Sequence, residues 1–396
     1  MPPGPAESPV TSGGVLARLR PHLAKLVASL VIAAGFVWMF RRGGLPFFPS
    51  RETLSHVRWW CVPAYMVCVT ASAWLRTYRW IYLLRAVHED APRGAKGQVE
   101  AGEAADPHGP SGRLDAWRVL GIGLVGYGII LFAPLRMGEL ARPLIIARDG
   151  EISFTQATGT VAAERIIDGL LVSLILLVGV LWAHPLDPLP DHLGKLPLPL
   201  AAVPRATYAA LALFTCAFAA MGLFYWAREF ARRLVHGVVG IVSEKLATWL
   251  TDKVERVADG LSFLPSRAHG GPFFRDTLAY WAVAYFTVFV GVRGVGIPVT
   301  AIECATILGL FGLGILIPSG PGFFGAYQLS SYCALAMFFP ESVVLGAGAA
   351  FVFVSYTCQL GITLLSMGVG ALLMRHHPAH PAAAALPRST PAAADS

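Results

Sequence analysis

Apolar runs and polar breaks alternate along this chain at the length scale of a lipid bilayer. Residues 23–40, 59–75, 166–182, 206–226, 273–292 and a segment within 342–374 each read as a full span. At about 1.5 Å per residue, such runs cross or nearly cross a hydrocarbon core of about 30 Å. Two further apolar runs are broken. Residues 117–133 carry Gly121, Gly123, Gly126 and Gly128 and stop at Pro134, and residues 302–317 carry Gly309, Gly312 and Gly314 and stop at Pro318. A second apolar arm, 326–339, follows the later break, and a charged segment follows the earlier one. Irregular backbone at membrane depth survives only where protein or a water-filled cavity satisfies its polar groups. The predicted fold is therefore all-α: a polytopic membrane helix bundle of about six full spans plus two re-entrant hairpins.

Pro134 precedes Gly138 by four residues, and Pro321 precedes Gly325 by the same interval. Three full spans separate the breaks, so the hairpins face opposite sides and form an inverted-repeat-like core, the pattern of transporters with a midplane site. The intervening polar segments read as a disordered tail over 1–22, a disordered loop over 88–115 and a second tail over 375–396. Between them, 228–267 reads as one amphipathic helix, with Val235, Val239, Val242, Leu246, Leu250, Val254, Val257 and Leu261 recurring at steps of three and four. It lies on the membrane surface or the bundle, or serves as a protein-partner surface.

Composition narrows the class. The 396 residues are 55% hydrophobic and 14% charged, with mean hydropathy +0.59, which excludes an ordinary soluble domain. A net charge of +7 does not indicate nucleic acid, because Lys and Arg flank the apolar runs as orientation signals do. With both termini cytoplasmic, only Arg41, Arg42, Arg51, Arg58, Lys195, Arg205 and Arg293 of the 31 Lys and Arg face the other side. The six cysteines sit inside apolar runs without metal or disulfide spacing, and no A-x-A cleavage site follows the first span, which stays as an anchor. No cofactor or metal is called for.

The chemistry concentrates in residues 126–168. Arg136, Glu139 and Arg142 are spaced by three, on one face of a short helix that Pro134 begins and Pro143 ends, with the carboxylate between two guanidiniums. The excess positive charge suits a phosphate. Arg165 and Asp168 are an i,i+3 pair, and Glu164 and Asp168 are like charges that need a shared cation, from Arg165 or Arg136. The bland alternative is a wet loop whose charges only orient the chain. Upstream, Trp74, Arg76, Tyr78, Arg79, Trp80, Tyr82 and Arg85 read as an aromatic and arginine collar at headgroup level, where anionic lipid is met. No G-x-S-x-G, H-E-x-x-H or P-loop is present, so enzymatic chemistry is not indicated.

Four elements in order carry a family resemblance: Arg-Thr-Tyr-Arg-Trp from Arg76, Pro-Leu-Arg-Met-Gly-Glu-Leu-Ala-Arg from Pro134, Glu-Arg-Ile-Ile-Asp from Glu164, and Pro-Ser-Gly-Pro-Gly-Phe-Phe-Gly from Pro318. Over residues 23–374 the chain resembles the transmembrane-region family of lysylphosphatidylglycerol synthases, the flippase-like membrane proteins. The resemblance implies a bacterial inner-membrane protein that moves anionic or aminoacylated phospholipids, or lipid-linked precursors, between leaflets. The synthases proper add a soluble aminoacyl-transfer domain not found in this sequence, so synthesis is not carried over. The candidate lipid-binding residues are Arg76, Arg79, Arg136, Gly138, Glu139, Arg142, Glu164, Arg165, Asp168, Pro318, Pro321, Gly322, Gly325 and Gln328. Where the family often has a glutamate, this chain has Gln328, whose amide cannot titrate. The competing reading is a non-catalytic membrane partner that recruits a lipid-modifying enzyme through 228–267.

Overall fold

A single long helix, α7 (Phe154–Trp182), is the axis on which both interrupted segments pack. It starts sharply because Ser153 Oγ accepts the Gln156 backbone N–H while the Gln156 side chain reaches back to the Ser153 backbone, a reciprocal cap that satisfies two otherwise orphaned donors. The computed structural model describes residues 13–90, 114–132, 138–150, 152–240, 243–258, 267–314, 317 and 319–379. Before α7 come α1 (Gly13–Gly43), α2 (Arg51–Ser55), α3 (Cys61–Tyr78), α4 (Trp80–Asp90), α5 (Ala116–Phe132) and α6 (Ala141–Arg148). After it come a two-stranded ribbon, β1 (His192–Leu193) and β2 (Leu196–Pro197), then α8 (Val203–Trp226), α9 (Arg228–Val238) and α10 (Glu244–Ala258). The chain continues through α11 (Gly270–Gly294), α12 (Ala301–Gly314), α13 (Ala326–Ala336) and α14 (Glu341–Val343). A π turn at Val344–Gly348 then leads into α15 (Ala349–His376).

Three helical stretches, Phe154–Trp182, Leu200–Trp226 and Glu341–His376, are long and apolar enough to cross a membrane. The other three expected spans are helices α1, α3 and α11, of 31, 18 and 25 residues. The shorter apolar helices, Ala116–Ile130 and Ala301–Gly314, are the incoming arms of the two expected hairpins.

Both hairpins double back, and glycines mark where. In the first, a Cβ on Gly138 would lie 2.6 Å from Ile130 Cα, and the Arg142 side chain occupies the space beside Gly126. At its base Arg118 grips Asp149 through two bonds, Nε to Oδ2 at 2.6 Å and Nη2 to Oδ1 at 2.7 Å. In the second, Gly314 abuts the Ser330 side chain, so α13 returns beside α12. Small residues allow such close backbone approach between membrane helices.

The two hairpins open toward opposite ends of α7. The first has its base at the start of that helix, where Val119, Ile122, Ile146, Ile152, Ala157 and Val161 share one buried cluster. The second has its base at the other end: Gly179 meets Thr306, Leu176 meets Gly309 and Val172 meets Gly312, while Leu186 N–H donates to Met337 O at 2.8 Å. From opposite ends, Arg142 of the first hairpin reaches Glu164 and Gly312 of the second meets Val172, on either side of the midpoint of this 29-residue helix. Residues Pro321–Phe323 contact α5.

Several expectations are corrected. Within 228–267 the described residues form two helices, α9 and α10, with turn residues Val239 and Gly240 after the first, while 241–242 and 259–266 lie outside the described residues. His236 Nδ1 and Glu244 Oε1 bridge them at 2.6 Å, and α10 packs on α7 and α8. Helix α1 begins at Gly13, inside the expected tail, and α4 reaches Asp90, inside the expected loop over 88–115. Leu114 at the far edge of that loop is buried. Residues 91–113 and 380–396 lie outside the described residues. Pro143 does not end a helix: it is the third residue of α6, in the first turn, where its missing N–H has no helical acceptor to lose. The collar is only partly at the surface: Tyr78 stays 38% exposed, but two of its members turn inward. Helix α3 ends at Tyr78, and the turn at Arg79 directs the arginine and Trp80 into the interior, each 0% exposed.

Candidate functional site

The turn between α3 and α4 supplies the central cation. Arg79 Nη2 donates to both oxygens of Asp168, at 2.7 and 2.6 Å, and to Glu164 Oε1 at 3.3 Å, while Nη1 donates to Thr277 Oγ1 of α11 at 3.0 Å. Glu164 and Asp168 are one turn apart on α7, so one guanidinium spans both carboxylates. Glu164, 0% exposed, also accepts Arg142 Nη1 at 3.1 Å, Arg165 Nη2 at 2.6 Å and the Tyr127 hydroxyl at 3.3 Å. Arg165 Nη2 donates in turn to Tyr127 Oη at 2.9 Å and lies 3.7 Å from Asp168.

Aromatic faces complete the packing. The Tyr127 ring lies between the guanidiniums of Arg76 and Arg142, at 4.4 and 4.7 Å. Trp80 faces Arg142 at 5.1 Å and donates Nε1–H to Thr160 Oγ1 at 3.0 Å, and Tyr280 faces Arg79 at 5.0 Å. Burying one unpaired charge costs several kcal/mol, so a cluster of this kind persists only when each member is bonded or compensated. Here each buried carboxylate is shared between arginines from different helices. Four arginines face Glu164, Asp168 and the nearby Glu139, so the described groups leave the site positive.

Beside the cluster is a cavity of about 440 Å³ at the meeting of the hairpin tips. Ligand-binding cavities fall in roughly this range, about 300 to 1,000 Å³. Its polar end is lined by Arg76, Tyr127, Glu139, Arg165, Asp168 and Tyr280. Its other end is lined by Tyr65, Phe311, Tyr327, Phe351 and Tyr356, with Val69, Leu124, Val172, Val288 and Leu308 along the walls. Tyr65 and Arg76 are eleven residues apart on α3, so the ends are separated by about 16 Å. The arrangement can hold an amphipathic molecule with its anionic group among the arginines and its apolar part along the walls.

The expected residues divide into three groups. Arg76, Glu139, Arg165, Asp168 and Gly322 line the cavity. Arg79, Arg142 and Glu164 form the ionic cluster behind it, and the cation shared by Glu164 and Asp168 is chiefly Arg79. Gly138, Pro321, Gly325 and Gln328 shape the tips. Gln328 Oε1 accepts the Gly325 N–H at 2.8 Å, capping α13, and Gly325 has φ +92° with Phe36 packed against it. Arg136 and Pro318 lie outside the described residues. Sequence reasoning missed Tyr127, Thr277, Tyr280 and the cavity tyrosines. The one available signal was Tyr127 itself, a polar-tipped ring between Gly126 and Gly128 in an otherwise apolar arm.

The model of the family described as lysylphosphatidylglycerol synthase TM region matches residues 26–363. The chain belongs to this family. Both hairpins, the ion cluster and every lining residue named above fall inside the matched region of the lysylphosphatidylglycerol synthase TM family. With three helices of spanning length and composition, this member is an integral membrane protein. No curated protein and no solved structure matches the chain.

Proposed function

We propose that this protein moves a lipid between the leaflets of a bacterial inner membrane, with both termini cytoplasmic. The cargo is an anionic or aminoacylated phospholipid, or a lipid-linked precursor. The observation that carries this reading is the cavity between two oppositely opening hairpin tips, with arginines at one end and apolar walls beyond them. Opposed broken elements around a midplane site are the architecture of alternating access. Purified protein in liposomes with fluorescent anionic lipid tests it: protein-dependent redistribution between leaflets is expected, and none across several headgroups overturns it. The orientation is tested separately. A single cysteine at Gly109 is expected to react only with cytoplasmic reagents and one at Asp191 only with external ones.

A second reading keeps the membrane bundle but assigns it the recruitment of a separate lipid-modifying enzyme. Its support is that α9 and α10 carry exposed Phe230, Leu246 and Trp249 while Ala231 and Ala247 anchor them inward. Deleting 228–258 distinguishes the two, since recruitment is then lost while lipid movement persists.

A further inference from the structure

We propose that Arg76 is the residue that takes the phosphate of the lipid headgroup, while Arg79 and Arg142 serve the fold alone. This rests on the lipid-transport reading above and names which of its arginines meets the cargo.

The four arginines of the site are not equivalent. Arg79 donates through both terminal nitrogens, to Asp168, Glu164 and Thr277, and Arg142 donates to Glu164; both are buried. Neither lines the cavity. Arg165 lines it, but its Nη2 is already engaged by Glu164 and Tyr127. Arg76 lines it, is half-buried, and makes no hydrogen bond or ion pair among the described residues. Its Nε is enclosed without a partner, as in the other three, but here the terminal nitrogens are unbonded too, and the guanidinium lies over the Tyr127 ring at 4.4 Å.

A guanidinium stacked on an aromatic face keeps its in-plane N–H groups free, and that fork matches two oxygens of a phosphate. A carboxylate partner would be the ordinary solution for a cation at membrane depth. Asp168 lines the same cavity, but Arg79 and Arg165 already pair with it, and Glu164 is shared by Arg79, Arg142 and Arg165. With Arg165 on the same wall, two guanidiniums share the polar end of the chamber with Glu139 and Asp168. An anion entering from the ligand satisfies Arg76, and the apolar walls select one that carries a hydrocarbon chain.

The test uses the full chain in detergent, titrated with dihexanoyl phosphatidylglycerol, with dihexanoylglycerol (the same chains without phosphate) and with inorganic phosphate. Binding is read by calorimetry and by the change in tryptophan fluorescence that W281F abolishes, since Trp281 lines the cavity. R76Q is expected to weaken phosphatidylglycerol binding by about tenfold or more and to leave dihexanoylglycerol binding unchanged. R76K, a point charge without the fork, is expected to fall between R76Q and wild type. The ligand-free melting temperature of R76Q is expected to equal or exceed that of wild type, because no hydrogen bond or ion pair is lost. The assignment is overturned if R76Q binds phosphatidylglycerol normally, if it weakens both lipids equally, or if its ligand-free melting temperature falls. Inorganic phosphate binding as tightly as the lipid overturns the headgroup as the source. Should R76Q not fold, R76K against wild type makes the same comparison. Wild-type lipid movement with undiminished R76Q movement overturns the role of Arg76 and leaves the transport reading. Arg76-dependent binding without any lipid movement does the reverse.

Discussion

The two hairpins have the same outline and opposite chemistry. Each is an apolar, glycine-bearing helix that runs to the middle of α7, breaks, and returns as a shorter helix. The first is held by charge: Arg142 reaches Glu164, and Arg118 closes the base on Asp149. The second is held by neutral groups. Tyr327 Oη bonds to Ser355 Oγ at 2.9 Å, Tyr356 donates to Gly322 O at 3.2 Å and Tyr332 donates to Pro46 O at 2.9 Å. Shape here comes from glycine and proline, which either chemistry accommodates; the charges mark only the side of the cavity where the proposed transport would place an anionic group.

The largest test of this contrast is Glu164→Gln. It removes a carboxylate shared by three guanidiniums, and breaking a buried ion pair from one side costs about 3 to 5 kcal/mol. Thermal unfolding in detergent is expected to show a large loss of stability, and no comparably costly polar substitution is expected in the second hairpin. A next, smaller effect tests the shared outline. Gly138→Ala presses on the Ile130 backbone and Gly314→Ala on Ser330, each expected to cost about 2 kcal/mol, against no measurable change for Gly361→Ala, which faces open space. If only one tip is sensitive, the common outline is wrong.

A double-mutant cycle joins the cluster to the cavity. Glu139→Gln and Arg165→Gln are expected to be coupled in lipid movement by about 1 kcal/mol, and strictly additive effects would show that these wall charges act independently. The smallest effect belongs to Tyr327→Phe. Losing its hydroxyl bond to Ser355 is expected to cost about 0.5 to 1 kcal/mol of stability, visible only as a slight shift in unfolding.

Much of this was legible in the chain before folding. Apolar run lengths place the long helices, and the glycine-proline breaks place both tips, because a membrane allows backbone irregularity at few positions. The acids and arginines of 139–168 were also readable, since charge inside apolar sequence is costly and therefore conspicuous. Their partners were not. Arg79 and Trp80 look the same in sequence whether they face headgroups or the interior, and only the turn that separates α3 from α4 decides it. Thr277 and Tyr280 join from α11, more than 100 residues after Glu164, and no local spacing announces that. Pro143 was misread because a proline that ends one helix and one that occupies the first turn of the next have the same local sequence.

The contact between α7 and the second hairpin has a mechanical consequence. Along that seam the facing pairs are Gly179 with Thr306, Gly309 with Leu176 and Gly312 with Val172. It is a smooth track with no interlocking charge, whereas the first hairpin is bolted to the same helix through Glu164. Displacing the first against α7 would strip guanidiniums from a buried carboxylate; displacing the second trades one apolar contact for another. If the chamber opens by moving one of its two gates, the energetically cheaper one is the uncharged gate, and the arginine-bearing wall stays fixed as the stator around which a cycle turns.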